Sequence, residues 1–154
     1  MNMHAWINWF HTLAATLWLG GLCYMTILFI PLSKNIAAVQ KATLTQVALG
    51  FRPLLFTAMA VIAGSGVWQI AQLGGMKSLP VLFHIKIALA LVMVILTLLC
   101  TLVFLPRLAT QLTAAGPNTP VEDDKLPGLL VSATALAALL GMAILGILAK
   151  IGIL

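Results

Sequence analysis

Charged side chains are scarce in this chain. Asp, Glu, Lys and Arg make up 7% of its 154 residues, whereas hydrophobic residues make up 62%. A soluble globular domain carries about a quarter charged residues. A soluble fold cannot hide so much apolar surface from water, but a lipid bilayer removes that need. The composition therefore excludes a soluble domain and predicts one integral membrane domain over residues 1–154.

The sequence also lacks the patterns of several binding classes. Its two cysteines, Cys23 and Cys100, are isolated in apolar segments, without metal-type spacing or a disulfide framework. The net charge is +5, but the eight basic residues are scattered along the chain, so the expected partner is the lipid bilayer and not nucleic acid. No basic stretch precedes the first apolar run and no small-residue site ends it, so we expect it to remain as a helix.

Four apolar runs are long enough to span a bilayer, which takes about 20 helical residues. The predicted helices cover residues 5–30, 53–73, 80–105 and 127–149. Gly74 and Gly75 predict the end of the second helix. Ser78 and Pro80 predict a cap and first turn for the third, and Pro106 predicts its end. The expected fold is an all-α bundle of four transmembrane helices.

The links between these helices predict the orientation. The link 31–52 mixes apolar and basic residues and suggests helix ends that extend into the interface, whereas 116–125 reads as an aqueous loop. The first and third links share one side and hold five basic residues: Lys34, Lys41, Arg52, Arg107 and Lys125. The other side holds Lys77 and Lys150. The positive-inside rule then predicts both termini on the periplasmic side of a bacterial inner membrane.

Three ionisable residues fall inside predicted spans, where such residues are costly and indicate function. They are His11 in the first helix and His84 with Lys86 in the third, at nearly equal depth. Positions two apart on a helix differ by about 200°, so His84 and Lys86 cannot face one site. The face of Lys86 continues with small or weakly polar residues: Ala90, Met93, Thr97 and Cys100. The face of His84 continues with residues suited to lipid: Ala88, Leu91, Ile95 and Leu102. Lys86 is predicted to point inward.

The stripe that contains His11 has two interpretations. It continues with Ala14, Ala15, Trp18 and Gly21, and the second helix places Gly64-Ser65-Gly66 at comparable depth. Small residues let helices approach closely, so this pattern can serve packing alone. Alternatively, Trp18, Gly64 and Gly66 leave room for a flat cofactor beside His11.

Histidine is a good axial ligand for the iron of a b-type haem held between helices. Lys86 can bind iron as the free amine, while a His11–His84 pair is the more familiar chemistry. The alternative is a hydrogen-bonded histidine and a lysine that reaches toward the interface. Copper is a second candidate metal, since Met1, Met3 and His4 offer thioether and imidazole ligands at one end of the chain, with Met76 in a loop on the same side.

Several segments together resemble the copper-resistance D family of bacterial membrane proteins. The first helix carries the likeness in His11 followed by Trp18-Leu19-Gly20-Gly21. The second carries it in 51–53, 60–61 and Gly64-Ser65-Gly66-Val67, and the third in 79–86. The His-x-Lys of the third helix is also similar to HemJ-type protoporphyrinogen IX oxidases. In those relatives the corresponding helix-one histidine and this lysine are associated with haem b, which implies that role for His11 and Lys86.

The resemblance implies a function in periplasmic copper handling. The oxidase-type relatives continue the first helix with a Leu-Pro-Arg element and a Tyr-His pair, which residues 24–31 lack. Three functions are therefore open: copper transport or resistance, a haem enzyme acting on protoporphyrinogen IX or quinone, and a structural subunit of a larger complex. The expected partners are a periplasmic copper protein for the first, and quinone or porphyrin for the second.

Overall fold

The computed structural model describes residues 3–29, 38–114 and 125–150, which form helices and turns without any strand in these ranges. Four helical stretches are long and apolar enough to cross a membrane: Met3–Ile27, Ala42–Gln72, Val81–Ala114 and Gly128–Leu148. The prediction of an all-α fold with four helices able to span a membrane is confirmed for the described residues.

The described residues form six α-helices. Helix α1 covers Met3–Tyr24 and continues into a π-helical turn, Met25–Phe29. Helices α2 and α3 cover Ala38–Gly50 and Arg52–Gln72. A 3₁₀ turn, Met76–Ser78, leads to α4, Val81–Leu98. A second π-helical turn, Leu99–Phe104, joins α4 to α5, Leu105–Ala114. Helix α6 covers Lys125–Lys150.

The helices pack in a fixed order around one core. Helix α1 contacts α3 and α6, α4 contacts α6, and α2 contacts α5. The main core combines small residues with a few large ones: Ala14, Trp18, Leu22, Ala58, Met93, Ala137 and Ala138. Small residues at these positions allow close helix approach, which is how helices associate in lipid. Large apolar side chains such as Leu17, Val67 and Leu139 are exposed on the outside.

The turn between α3 and α4 agrees with prediction in one respect and differs in another. Gly74 and Gly75 have φ angles of +88° and +87°, and the amide of Gly75 donates to the carbonyl five residues earlier at 2.9 Å. They end α3 as predicted, because glycine readily adopts positive φ. The cap predicted at Ser78 is wrong. Its hydroxyl oxygen lies 2.5 and 2.8 Å from the carbonyl oxygens of Leu73 and Gly75, so it closes the end of α3, and Pro80 precedes α4 without a side-chain cap.

The predicted end of the third helix at Pro106 is also wrong. The chain stays helical from Val81 to Ala114 and passes through this proline. Proline normally breaks a helix because it lacks an amide hydrogen and its ring crowds the carbonyl four residues earlier. Here the π-helical turn lies immediately before Pro106, and its wider spacing removes both conflicts.

Helix α2, which lies within the first link, packs against α5, which leads into the third link. One face of α5 is buried through Leu105, Ala109 and Leu112, at the spacing of an amphipathic helix. Helix α2 lies against α5 and is separated from α3 only at Phe51. The helical extension predicted within 31–52 is thus present from residue 38 onward. The aqueous loop predicted at 116–125 lies almost wholly outside the described residues.

Candidate functional site

His11 lies on the face of α1 that contacts α3. Its Nδ1 atom is 2.7 Å from Oγ of Ser65. The same hydroxyl lies against carbonyl oxygens of its own helix, those of Val61 and Ile62. Ser65 therefore bonds to its own backbone and to His11 at the same time.

This arrangement determines which nitrogen of His11 bears the hydrogen. A serine hydroxyl has one hydrogen to donate, and within a helix that hydrogen goes to a carbonyl of the preceding turn. We therefore assign Nδ1–H of His11 as the donor and Oγ of Ser65 as the acceptor of this hydrogen bond. The other ring nitrogen, Nε2, keeps its lone pair, which is the form of histidine that binds a metal.

Two more polar contacts join α1 to α3. The amide of Gln69 donates to Oδ1 of Asn8 at 2.9 Å. The rings of His4 and Trp68 lie 4.8 Å apart between centroids. The two helices are antiparallel, so residues in the first half of α1 meet residues in the second half of α3. We call the three contacts the polar ladder: His4–Trp68, Asn8–Gln69 and His11–Ser65.

Lys86 and His84 lie on opposite faces of α4. Lys86 is half-buried, and its Nζ is 5.6 Å from the centroid of the Phe83 ring. His84 is exposed, and its Nδ1 is 3.2 Å from the carbonyl oxygen of Pro80. The prediction that Lys86 points inward and His84 outward agrees with this geometry.

Trp18 and Thr97 connect the helices that carry His11 and Lys86. The indole of Trp18 donates to Oγ1 of Thr97 at 3.2 Å, and both side chains are buried. His11 precedes Trp18 by seven residues, and Lys86 precedes the buried Met93 by seven. Each ionisable group therefore lies about 10 Å from the same packed layer, as the sequence predicted.

The residues proposed to line a flat cofactor are not all in one place. A Cβ added to Gly66 would lie 3.8 Å from Cε1 of His11, so this glycine is beside the imidazole. An added Cβ on Gly64 would meet nothing within 4 Å, so Gly64 faces away. Trp18 is 4% exposed and lies two turns deeper. Of these three residues, only Gly66 adjoins the ring of His11.

The predicted copper ligands are spread over one end of the bundle. Met3 and Met76 are 68% and 45% exposed, the ring of His4 contacts Trp68, and Met1 lies outside the described residues. The described ranges hold no group of three or more His, Cys, Asp or Glu residues arranged to hold a metal ion. Haem iron needs only one or two protein ligands, and His11 with Lys86 offers that number.

Sequence reasoning missed the functional partner of His11. Ser65 was noted only as part of a small-residue segment, although it is the residue that orients the imidazole. The sequence feature that could have indicated this contact is a single hydroxyl residue between two glycines at the depth of His11. A similar signal, two amide side chains at matching depth, was available for Asn8 and Gln69.

Comparisons with family models, curated proteins and solved structures give no match to this chain. The resemblance to the copper-resistance D family therefore stays a prediction, as do the copper and haem functions that it implies. The geometry of His11, Ser65 and Lys86 is the observation that bears on those functions.

Proposed function

We propose that this chain is a bacterial inner-membrane protein of the copper-resistance D type that binds one haem b between α1 and α4. The observation that supports this function is the hydrogen bond from Nδ1 of His11 to Ser65. It orients the imidazole and leaves Nε2 available to iron. Metal-binding histidines almost always donate their other nitrogen in this way.

Lys86 is the proposed second ligand. It lies at the depth of His11 and is half-buried. No acidic side chain occurs in the described ranges, because all three acidic residues of the chain fall at positions 122–124. Lys86 therefore has no carboxylate within these ranges to pair with. His84 fits less well, because it is exposed and lies on the opposite face of α4.

A bound b-type haem would supply one-electron transfer at this level of the membrane. The residues of the chain would hold it in defined ways. His11 would bind the iron, and Ser65 would fix the plane of the imidazole through the contact with Nδ1. Gly66 leaves the space beside Cε1 of His11 unfilled by a side chain. The packed layer of Trp18 and Met93 closes the deeper side of the site.

Copper transport or resistance is the proposed physiological role. The motif resemblance supports it, and so do the exposed thioethers of Met3 and Met76 at the end of the bundle that carries His4. The alternative is a haem-dependent oxidoreductase, of the protoporphyrinogen IX oxidase type or linked to quinone, which the His84-x-Lys86 motif favours. Deletion of the gene distinguishes the two roles: the first predicts copper sensitivity, and the second predicts accumulation of porphyrin precursors.

Absorption spectroscopy of the detergent-purified protein tests haem binding. After expression with ample haem, reduced-minus-oxidised spectra should show a Soret band and an α-band. His11→Ala should abolish both bands, and Lys86→Met should shift or weaken them. His84→Ala is the matched control and should leave the spectrum unchanged. Absence of the bands in the wild type refutes haem binding. Bands that survive both His11→Ala and Lys86→Met refute the ligand assignment.

The proposed orientation places both termini in the periplasm. It follows from the excess of basic residues in the first and third links. Single cysteines at two exposed positions test it: Met76→Cys beside α4 and Gln111→Cys on α5. A membrane-impermeant maleimide added to spheroplasts should label the first and spare the second. The reverse pattern would overturn the orientation and leave the haem proposal intact.

A further inference from the structure

A cavity of about 210 Å³ lies in the half of the bundle away from His11. Its walls come from every one of the six helices, with Leu22, Ala58 and Cys100 among them. We call this region the cavity half, and the region of the polar ladder the His11 half. A cavity of about 150 Å³ with apolar walls is known to accommodate benzene. The cavity is therefore large enough for part of a hydrocarbon chain.

The polar atoms in the cavity walls are already satisfied. The hydroxyls of Thr97, Thr101 and Thr134 each donate to the carbonyl four residues earlier, at 2.8, 2.7 and 2.8 Å. They have no hydrogen left to offer a ligand. A hydrogen-bond acceptor on a ligand inside the cavity would lose its hydrogen bonds to water without replacement. The chemistry of the walls therefore favours an apolar group.

The cavity opens on the outer surface between α1, α2 and α3. Its rim is formed by side chains about half exposed: Leu17, Tyr24, Val47, Phe51 and Leu54. In a membrane-spanning chain this surface faces lipid. A flexible hydrocarbon chain can therefore enter from the bilayer without crossing water.

An arginine lacking hydrogen-bond acceptors adjoins this rim. Arg52 directly follows Phe51, and its Nε and Nη2 atoms are buried with no hydrogen-bond partner among the described residues. Buried donors of a charged group that make no hydrogen bond are costly. The described ranges contain no carboxylate that could accept these hydrogen bonds. Phosphate is an acceptor that matches the guanidinium fork with two parallel hydrogen bonds.

We propose that the cavity binds one acyl chain of an anionic phospholipid whose phosphate is held by Arg52. Arg52 as a whole is only partly buried, so a change of side-chain rotamer brings its guanidinium to the headgroup. A free phosphate would leave the cavity without a ligand, and an isoprenoid chain would leave Arg52 without an acceptor. A phospholipid satisfies both parts. This site is separate from the haem site and does not depend on it.

Native mass spectrometry of the delipidated, detergent-purified protein tests the proposal. Phosphatidylglycerol and phosphatidylcholine with identical acyl chains are titrated separately, and inorganic phosphate is added as a competitor. We expect one phosphatidylglycerol per chain, bound about tenfold more tightly than phosphatidylcholine, because the quaternary ammonium of phosphatidylcholine compensates the phosphate charge that Arg52 would otherwise pair with. Displacement of phosphatidylglycerol by millimolar phosphate would show an anion site alone and overturn the proposal.

Two pairs of variants separate the headgroup from the chain. Arg52→Gln should lower phosphatidylglycerol affinity about tenfold, whereas Arg107→Gln, an exposed arginine on the same side, should not. Ala48→Leu fills part of the cavity and should weaken both lipids, whereas the exposed Ala63→Leu should weaken neither. If Ala48→Leu does not fold, Leu54→Trp narrows the rim instead. Unchanged lipid affinity in Arg52→Gln or in the cavity variant overturns the proposal. The haem bands should persist in these variants, so this proposal and the haem proposal fail independently.

Discussion

The two halves of the bundle hold their helices together by different means. In the His11 half, α1 and α3 are joined by paired polar side chains, with hydrogen bonds of 2.7 and 2.9 Å. In the cavity half, α1 and α4 both change to π-helical turns and enclose apolar space. Paired polar groups in lipid fix one register of two helices. Apolar walls impose no such register, and this half retains room for a ligand.

Trp18 stands at the boundary between the two halves, and its removal is expected to have the largest effect. Trp18→Ala empties a buried site and breaks the bond to Thr97. The free energy of unfolding, measured by denaturant titration in micelles, should fall by about 3–5 kcal/mol. Trp9→Ala is the control, because Trp9 is 56% exposed, and it should cost under about 1 kcal/mol. Equal losses would show that the boundary layer is not a core.

Gly141 tests how tightly α6 is packed against the same boundary. A Cβ at this position would overlap the side chain of Leu19 and lie 3.2 Å from Cε of Met93. Gly141→Val should therefore lower the free energy of unfolding by about 1–3 kcal/mol through overpacking. Gly146→Val is the matched control on the same helix, because a Cβ there meets nothing within 4 Å. A destabilised Gly146→Val with an unaffected Gly141→Val would contradict the packing described for α6.

Ser65→Ala tests the role of the polar ladder in haem binding. Without the hydroxyl, the imidazole of His11 loses the acceptor that fixes its orientation. The dissociation constant for haem, measured by titration of the haem-free protein, should rise about tenfold. Ser132→Ala is the control, since Ser132 is exposed and bonds only to its own helix, at Gly128. Haem affinity that falls in both variants alike would point to a general effect of losing helix hydroxyls.

The smallest effect is expected for the exposed contact of the polar ladder, Asn8–Gln69. Gln69→Ala removes the 2.9 Å hydrogen bond to Asn8. Hydrogen bonds between membrane helices average about 0.6 kcal/mol, and the free energy of unfolding should fall by a similar amount. The double variant with Asn8→Ala should cost no more than the single one if the two side chains act only on each other. A larger loss in the double variant would reveal another partner for Asn8.

Composition and helical periodicity predicted the parts of this fold that depend on one helix at a time. The four spans follow from apolar length, and the end of α3 follows from Gly74 and Gly75. The inward face of Lys86 follows from the character of its neighbours one and two turns away. Each of these properties is local, because it depends on burial or backbone preference along a single segment.

Properties that depend on two helices or on irregular turns were missed. Hydropathy does not distinguish a π-helical turn from an α-helical one. The sequence therefore predicts a helix end at Pro106, whereas the chain stays helical through this residue. The bond between His11 and Ser65 requires the register of α1 against α3, which one sequence does not give. The cavity depends on the gaps among all six helices. The ligand preference proposed for it depends on threonine hydroxyls that donate to carbonyls of their own helices in the folded chain.

The polar ladder has a consequence for biosynthesis. All three of its contacts join α1 to α3, and both helices precede residue 73. A nascent chain can therefore complete the ladder as a hairpin of two helices while α4 and α6 are still being translated. The hydrogen on Nδ1 of His11 is then fixed before Lys86 enters the membrane. In the proposed haem site, His11 is therefore oriented first, and Lys86 follows later in the order of synthesis.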